Sequence, residues 1–158
     1  MAPDNKAASI PLIYQIFILW LEPIFALNGA YIYVAKPTET LQIITPPPIH
    51  PQTLQQTAIE TTLMWEVASL YVYFAFIELV ILRYVGTARR DIWRLVLAGI
   101  LFSDMGHLWS LKLIAQAAGT PDAWYDPRMW TRWQDWGNQG LTWFGFLLRI
   151  SFLLGIGF

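Results

Sequence analysis

The sequence predicts an all-α, integral membrane four-helix bundle forming a single transmembrane domain over residues 1–158. Hydrophobic residues make up 56% of the chain and charged ones only 13%, too apolar for an ordinary soluble domain. Four apolar stretches each reach the ~20 residues that cross a ~30 Å hydrocarbon core. Inside them sit Glu22, Glu66, Asp104, His107 and Arg149. A charge in hydrocarbon costs roughly 2.5–3.5 kcal/mol even on the mildest insertion scale, so groups kept there face a polar path or a reaction site.

The first span runs from Leu12 to Val34, with no basic leader or small-residue cleavage site ahead of it, so it is expected to be retained. Residues 36–56 contain Pro46, Pro47, Pro48 and Pro51 and are expected to be a loop. The second span covers Ala58 to Val85 and the third Ile92 to Ala117. Between them lie Arg83, Arg89, Arg90 and Arg94, the densest basic cluster, which the positive-inside rule assigns to the cytoplasm. Both termini then fall on the cytoplasmic side, and loops 36–56 and 118–136 on the lumenal side of a membrane expected to be the endoplasmic reticulum. Residues 118–136 carry Trp124, Tyr125, Trp130, Trp133 and Trp136, an aromatic lid or interfacial belt. The fourth span is Gly137 to Phe158.

At ~100° per residue, three spans show one polar or small stripe. In the first it is Gln15, Glu22, Ala26, Gly29 and Tyr33; in the second Thr62, Glu66, Ser69 and Tyr73; in the fourth Asn138, Thr142, Gly145 and Arg149. The third span divides between a small stripe, Gly99, Ser103, Gly106 and Ser110, and the pair Asp104 and His107. Counting ~1.5 Å per residue puts Glu22, Asp104 and Arg149 near the middle of their spans, with His107 and Glu66 nearer the lumen. Glu78, close to Arg83, reads as an interfacial charge.

Several function classes fall away. Net charge is −1 with scattered Lys and Arg, no footprint for nucleic acid. Cysteine is absent, which removes disulfides and thiolate chemistry. No metal site or cofactor is expected: histidine is limited to His50 and His107, and Arg149 would repel a cation held by the carboxylates. A Ser-His-Asp hydrolase through Ser103 or Ser110 lacks a nucleophile-elbow sequence. Each charged residue alone is equally well read as a buried ion pair, an i,i+3 pair or the cap of a proline kink. Together, two carboxylates around one midspan arginine exceed what charge balance needs, and such surplus acids serve as proton donors.

The segments Leu21-Glu22-Pro23-Ile24-Phe25-Ala26-Leu27-Asn28-Gly29-Ala30 and Ser103-Asp104-Met105-Gly106-His107 resemble a family of small four-helix fungal integral membrane proteins associated with natural-product biosynthesis. The resemblance extends from about Ile10 to the C-terminus. It implies a membrane-bound epoxide hydrolase or cyclase acting on polyketide or terpenoid epoxides, with Glu22, Asp104 and His107 first in line. The plan is also similar to the sterol-isomerase superfamily and, in style, to the terpene cyclases, which have more helices.

The expectation is therefore acid/base epoxide opening on a lipophilic substrate arriving through membrane lipid. Glu22 or Asp104 is the acid and the other activates water; Arg149 holds one carboxylate ionised, and His107 orients or relays a proton. Tyr33, Glu66, Tyr73, Trp109 and Asn138 are expected to line the substrate site. A non-catalytic lipid-binding or scaffold protein is the alternative, with the polar stripes used up in helix or subunit contacts; the sequence leaves a homo-oligomer open. Proton conduction is disfavoured by the apolar cytoplasmic halves of the third and fourth spans.

Overall fold

The computed structural model describes residues 9–45 and 56–158; His50 and the proline cluster from Pro46 to Pro51 lie outside them. The described residues hold five helices and no strand. They are α1 (Leu12–Ala35), α2 (Pro37–Ile44), α3 (Ala58–Val85), α4 (Arg90–Ala117) and α5 (residues 133–154). By length and apolar composition, α1 and α3 can cross a membrane. Helix α4 has the length but carries Arg90, Asp91, Arg94, Asp104 and Lys112.

Three helices are each interrupted by a stretch of π-helix: Phe17–Leu21 in α1, Ile77–Leu82 in α3 and Trp136–Gly140 in α5. Such bulges are rare and concentrate at functional sites, because one inserted residue re-aims the side chains around it. In α1 the bulge runs directly into Glu22-Pro23. Pro23 has no N–H to return to the carbonyl four residues earlier, Leu19. Arg83 of α3 donates to that carbonyl at 2.7 Å and lies over the Trp20 ring. The kink is thereby held by a neighbouring helix, and Arg83 is drawn away from Glu78.

The most extensive helix pairings are α1 with α3 and α4 with α5. The two pairs meet at one end, in a core of Tyr14, Phe17, Ile18, Leu82, Trp93, Leu97 and Phe152. Trp93 donates its indole N–H to the Gly86 carbonyl at 3.1 Å. Arg89 bridges Asp91 at 2.9 Å, and its hydrogen bonds hold that exposed carboxyl below the usual range. Gly29 lets α1 and α3 close up: a Cβ there would stand 3.0 Å from the Tyr71 ring.

Two expectations about element boundaries need correction. Residues 37–44, expected as part of a loop, form α2: Pro37 opens it, where a missing N–H costs nothing, and Glu39 sits in its first turn, paired with Lys36 at 3.1 Å. The fourth helix starts at residue 133 and stops at Leu154 rather than Phe158. Gly155 adopts φ +79°, the left-handed conformation that ends helices, and the tail turns back so that Tyr14 donates to the Ile156 carbonyl at 2.8 Å.

The aromatic segment also does more than form a belt. Trp130 is buried and donates to the Ala123 carbonyl (2.7 Å), Trp136 to Trp130 (3.1 Å) and Trp143 to Trp124 (2.8 Å). These three indoles tie the segment to itself and to α5. Trp133, Trp136 and Tyr125 remain exposed.

Candidate functional site

Away from the packed end, the two helix pairs leave a cavity of about 460 Å³, within the size range of small-molecule sites. Its walls are largely apolar, with Phe17, Phe25, Ile32, Phe74 and Ile100 among them. Helix α2 lies across one end through Thr40, Ile43 and Ile44. Arg132 anchors that helix by donating to the carbonyls of Gln42, Ile43 and Thr45, while Asp135 holds Arg132 at 2.6 Å. Lining residues that are exposed are Phe25, Asn28, Ser103, Trp133, Gly137 and Leu141, so the cavity is open to the outside.

The polar floor is built around Arg149, which is 2% exposed. Its Nη1 donates to Asp104 Oδ2 at 2.6 Å, and its Nη2 donates to Glu22 Oε1. Glu78 Oε1 stands 3.9 Å from Nη2. Gly145, one helical turn before Arg149, makes room for this arrangement. A Cβ at that position would lie 2.9 Å from Nη1 and 3.6 Å from Glu22 Oε1.

Four helical segments thus bring three carboxyl groups to one guanidinium, and the satisfaction of the four is unequal. Glu22 and Asp104 each hold a charge-assisted hydrogen bond from Arg149, the strong kind. Glu78 is fully buried, and neither of its carboxyl oxygens has a hydrogen-bond partner; Glu22 Oε2 and Arg149 Nε are buried and unpartnered as well. An ionised carboxylate buried without donors carries a heavy desolvation cost, and one guanidinium cannot neutralise three of them.

His107 and Asn138 form a second polar group on the wall, with His107 Nε2 3.3 Å from Asn138 Oδ1. Asn138 reaches it from the π-helical stretch of α5. His107 is not paired with Asp104, which is committed to Arg149, and Ser110 is turned to the His107 carbonyl at 2.7 Å. A serine triad is therefore not assembled. Among the described residues, no group of three His, Cys, Asp or Glu side chains is arranged to hold a metal ion.

The expected site residues divide cleanly. Glu22, Asp104, Arg149, His107, Asn138 and Tyr33 line the cavity, with Tyr33 edge-on to Tyr71 at 5.7 Å. Glu66, Tyr73 and Trp109 do not: Glu66 is exposed, and Tyr73 and Trp109 are each 58% exposed on outer helix faces. The stripe Thr62, Glu66, Ser69 and Tyr73 is continuous but faces outward, since α3 packs on α1 through Met64, Ala68, Tyr71 and Ala75. Glu78, expected as an interfacial charge, is the correction in the other direction. A signal for it is present in the sequence: it lies between apolar neighbours in Phe76-Ile77-Glu78-Leu79-Val80.

No curated protein and no solved structure matches the chain. A family model described as Domain of unknown function (DUF7704) matches residues 7–158, nearly the whole sequence. The floor of carboxylates and arginine therefore lies entirely within the matched region, and the chain belongs to the DUF7704 family.

Proposed function

We propose that this protein is a membrane-embedded acid/base enzyme that opens an epoxide on a lipophilic polyketide or terpenoid substrate, by water or by an internal hydroxyl. The observation that carries the reading is the unequal floor of the cavity: two carboxylates bound to Arg149 beside a third, Glu78, with no donor of its own. A non-catalytic scaffold would leave no open space beside Asp104, whereas Asp104 lines a cavity large enough for a small molecule. All four long helices cross the membrane in this reading, with both termini in the cytoplasm and the membrane that of the endoplasmic reticulum. Substrate then enters the open cavity from lipid.

In the reaction, Glu22 donates a proton to the epoxide oxygen as the C–O bond breaks. Glu78 stands buried behind it. Asp104, fixed by Arg149, accepts a proton from the attacking water or hydroxyl as the new C–O bond forms. Hydrolysis adds one water to give a diol; cyclisation consumes an internal hydroxyl and adds none. The proton gained by Asp104 returns to the Glu22 side, and the enzyme is restored. His107 and Asn138 supply hydrogen bonds to the oxygen function of the substrate.

The test is turnover of lipophilic epoxides, such as an epoxidised farnesyl ester and a long-chain epoxy alcohol, in membranes containing the protein and heavy-oxygen water. Hydrolysis places one heavy oxygen in a diol; cyclisation gives an isomer carrying none. Glu22→Gln and Asp104→Asn should each lower the rate by roughly 10²–10⁴-fold. Proteins carrying these changes that insert normally and turn over fully would remove the proposal.

A further inference from the structure

We infer that the outer face of α3 is the surface through which two copies of this chain pair side by side in the membrane, along a seam of Thr62, Glu66, Ser69 and Tyr73. The inference takes the membrane setting from the proposed function and none of its chemistry.

Helix α3 is long and apolar enough to cross a membrane, and Glu66 lies about 8 Å from its middle, inside a ~30 Å hydrocarbon core. Its side chain is exposed, and among the described residues none donates to it or pairs with it. Acids in spanning helices are costly against acyl tails and pair with one another or with polar groups of neighbouring helices. Beside Glu66, the side chains of Thr61, Trp65, Ser69 and Leu70 shape a shallow groove that can take a ridge from another helix.

The spacing fits a helix partner. Thr62, Glu66, Ser69 and Tyr73, all exposed, follow one another at intervals of four, three and four, so at 100° per residue they fall within an arc of about 60°. That alternation is the seam of two helices crossing with a left-handed twist. The seam lies on the far side of α3 from Met64, Ala68, Tyr71 and Ala75, which pack on α1, and from Glu78, which faces the cavity. Pairing along it leaves the cavity clear.

The chemistry selects a second copy. Copies of one chain insert with the same orientation, so two α3 helices meet in parallel, and about a twofold axis each seam residue meets its own counterpart at its own depth. Polar groups then face polar groups along the whole seam. Two facing carboxyls hydrogen-bond through a shared proton. The hydroxyls of Thr62 and Ser69 donate to their own helix, at 2.9 Å to the Ala58 carbonyl and 2.8 Å to the Trp65 carbonyl, and keep free lone pairs to accept. Both side chains are small, which lets two backbones approach. An amide, like a carboxyl pair, offers donor and acceptor together, so glutamine can stand in for Glu66 and leucine cannot.

The experiment reconstitutes the full chain, with donor or acceptor dye at its N-terminus, in phosphatidylcholine vesicles over a series of lipid dilutions. Energy transfer should follow a monomer–dimer equilibrium. Glu66→Gln should leave it unchanged, and Glu66→Leu should weaken association roughly 5–30-fold, the range of interhelical polar contacts in lipid. The chain has no cysteine, so single cysteines report proximity cleanly. Thr62→Cys, Ser69→Cys and Tyr73→Cys should each give disulfide-linked dimers on oxidation. Trp109→Cys, equally exposed and at a matching depth on α4, should not. Energy transfer no greater than random proximity gives, association undiminished in Glu66→Leu, or equal cross-linking through Trp109→Cys would each overturn the inference. Association is read without substrate, so a dimer that opens no epoxide sinks the proposed reaction alone. A monomer that does open one sinks only the pairing.

Discussion

Glu66 and Glu78 sit on the same helix, twelve residues and about 120° of helical rotation apart, and they meet opposite fates. Glu66 is on the outer surface in a shallow groove with Trp65 and Ser69; Glu78 is fully buried against Arg149. Glu66 belongs to a tidy polar stripe, and Glu78 stands among apolar residues. The tidy stripe faces out and the isolated acid faces the cavity. On a membrane-type helix, then, polar periodicity marks a face without telling which way it points. A lone acid in an apolar run tolerates burial only because another element supplies the opposite charge.

The strongest way to break this contrast is to remove the shared charge. Arg149→Met leaves three carboxyl groups without a cation and should destabilise the protein by about 3–5 kcal/mol, measured by thermal or denaturant unfolding in detergent. Glu66→Gln on the outer face should leave the same curve unmoved. Next in size is Gly145→Ala, which puts a Cβ 2.9 Å from the Arg149 guanidinium. Overpacking of this kind costs about 1–3 kcal/mol, and epoxide turnover should fall with it.

A smaller effect is expected at Gly29→Ala, where the obstructing atoms belong to the Tyr71 ring rather than to an ion pair. A stability loss of ~1 kcal/mol with turnover retained would show that α1–α3 packing and the charged floor are separable. Smallest of all is Asp91→Ala: its pairing with Arg89 is wholly exposed, so the melting temperature should stay within experimental scatter. A large shift there would mean that the basic end of the bundle is organised differently.

Most of the helical plan is legible in the sequence because the signals are long. Apolar runs place α1, α3 and α4 to within two residues of their observed ends, and stripe and depth together bring Glu22, Asp104 and Arg149 to one place. Helix α2 is hidden by the prolines after it, although Pro37 and then Glu39 is the usual chemistry of a helix start. The end of α5 is missed because Gly155 and Gly157 sit within an apolar run, whereas both adopt positive φ.

The site is harder to read than the fold for a specific reason. Regular 100° counting assumes an uninterrupted helix, and Glu78, the missed acid, lies within a stretch of π-helix, whereas Glu66, Tyr73 and Trp109 lie in regular helix, where counting finds a face but not the direction it points. At Glu78 the inserted residue rotates the next turns of the helix, and nothing in the local composition announces it. Chemistry alone points Tyr73 and Trp109 at the cavity, but large aromatic side chains are equally at home on the outer face of an apolar helix.

The central claim is that Glu78 shares the Arg149 charge inside the protein while Glu66 does not. A double-mutant cycle on unfolding free energy tests it most directly, pairing Arg149→Met with Glu78→Gln and, separately, with Glu66→Gln. The first pair should couple by about 0.5–3 kcal/mol and the second should be additive. Additivity for Glu78, or coupling for Glu66, would contradict the account.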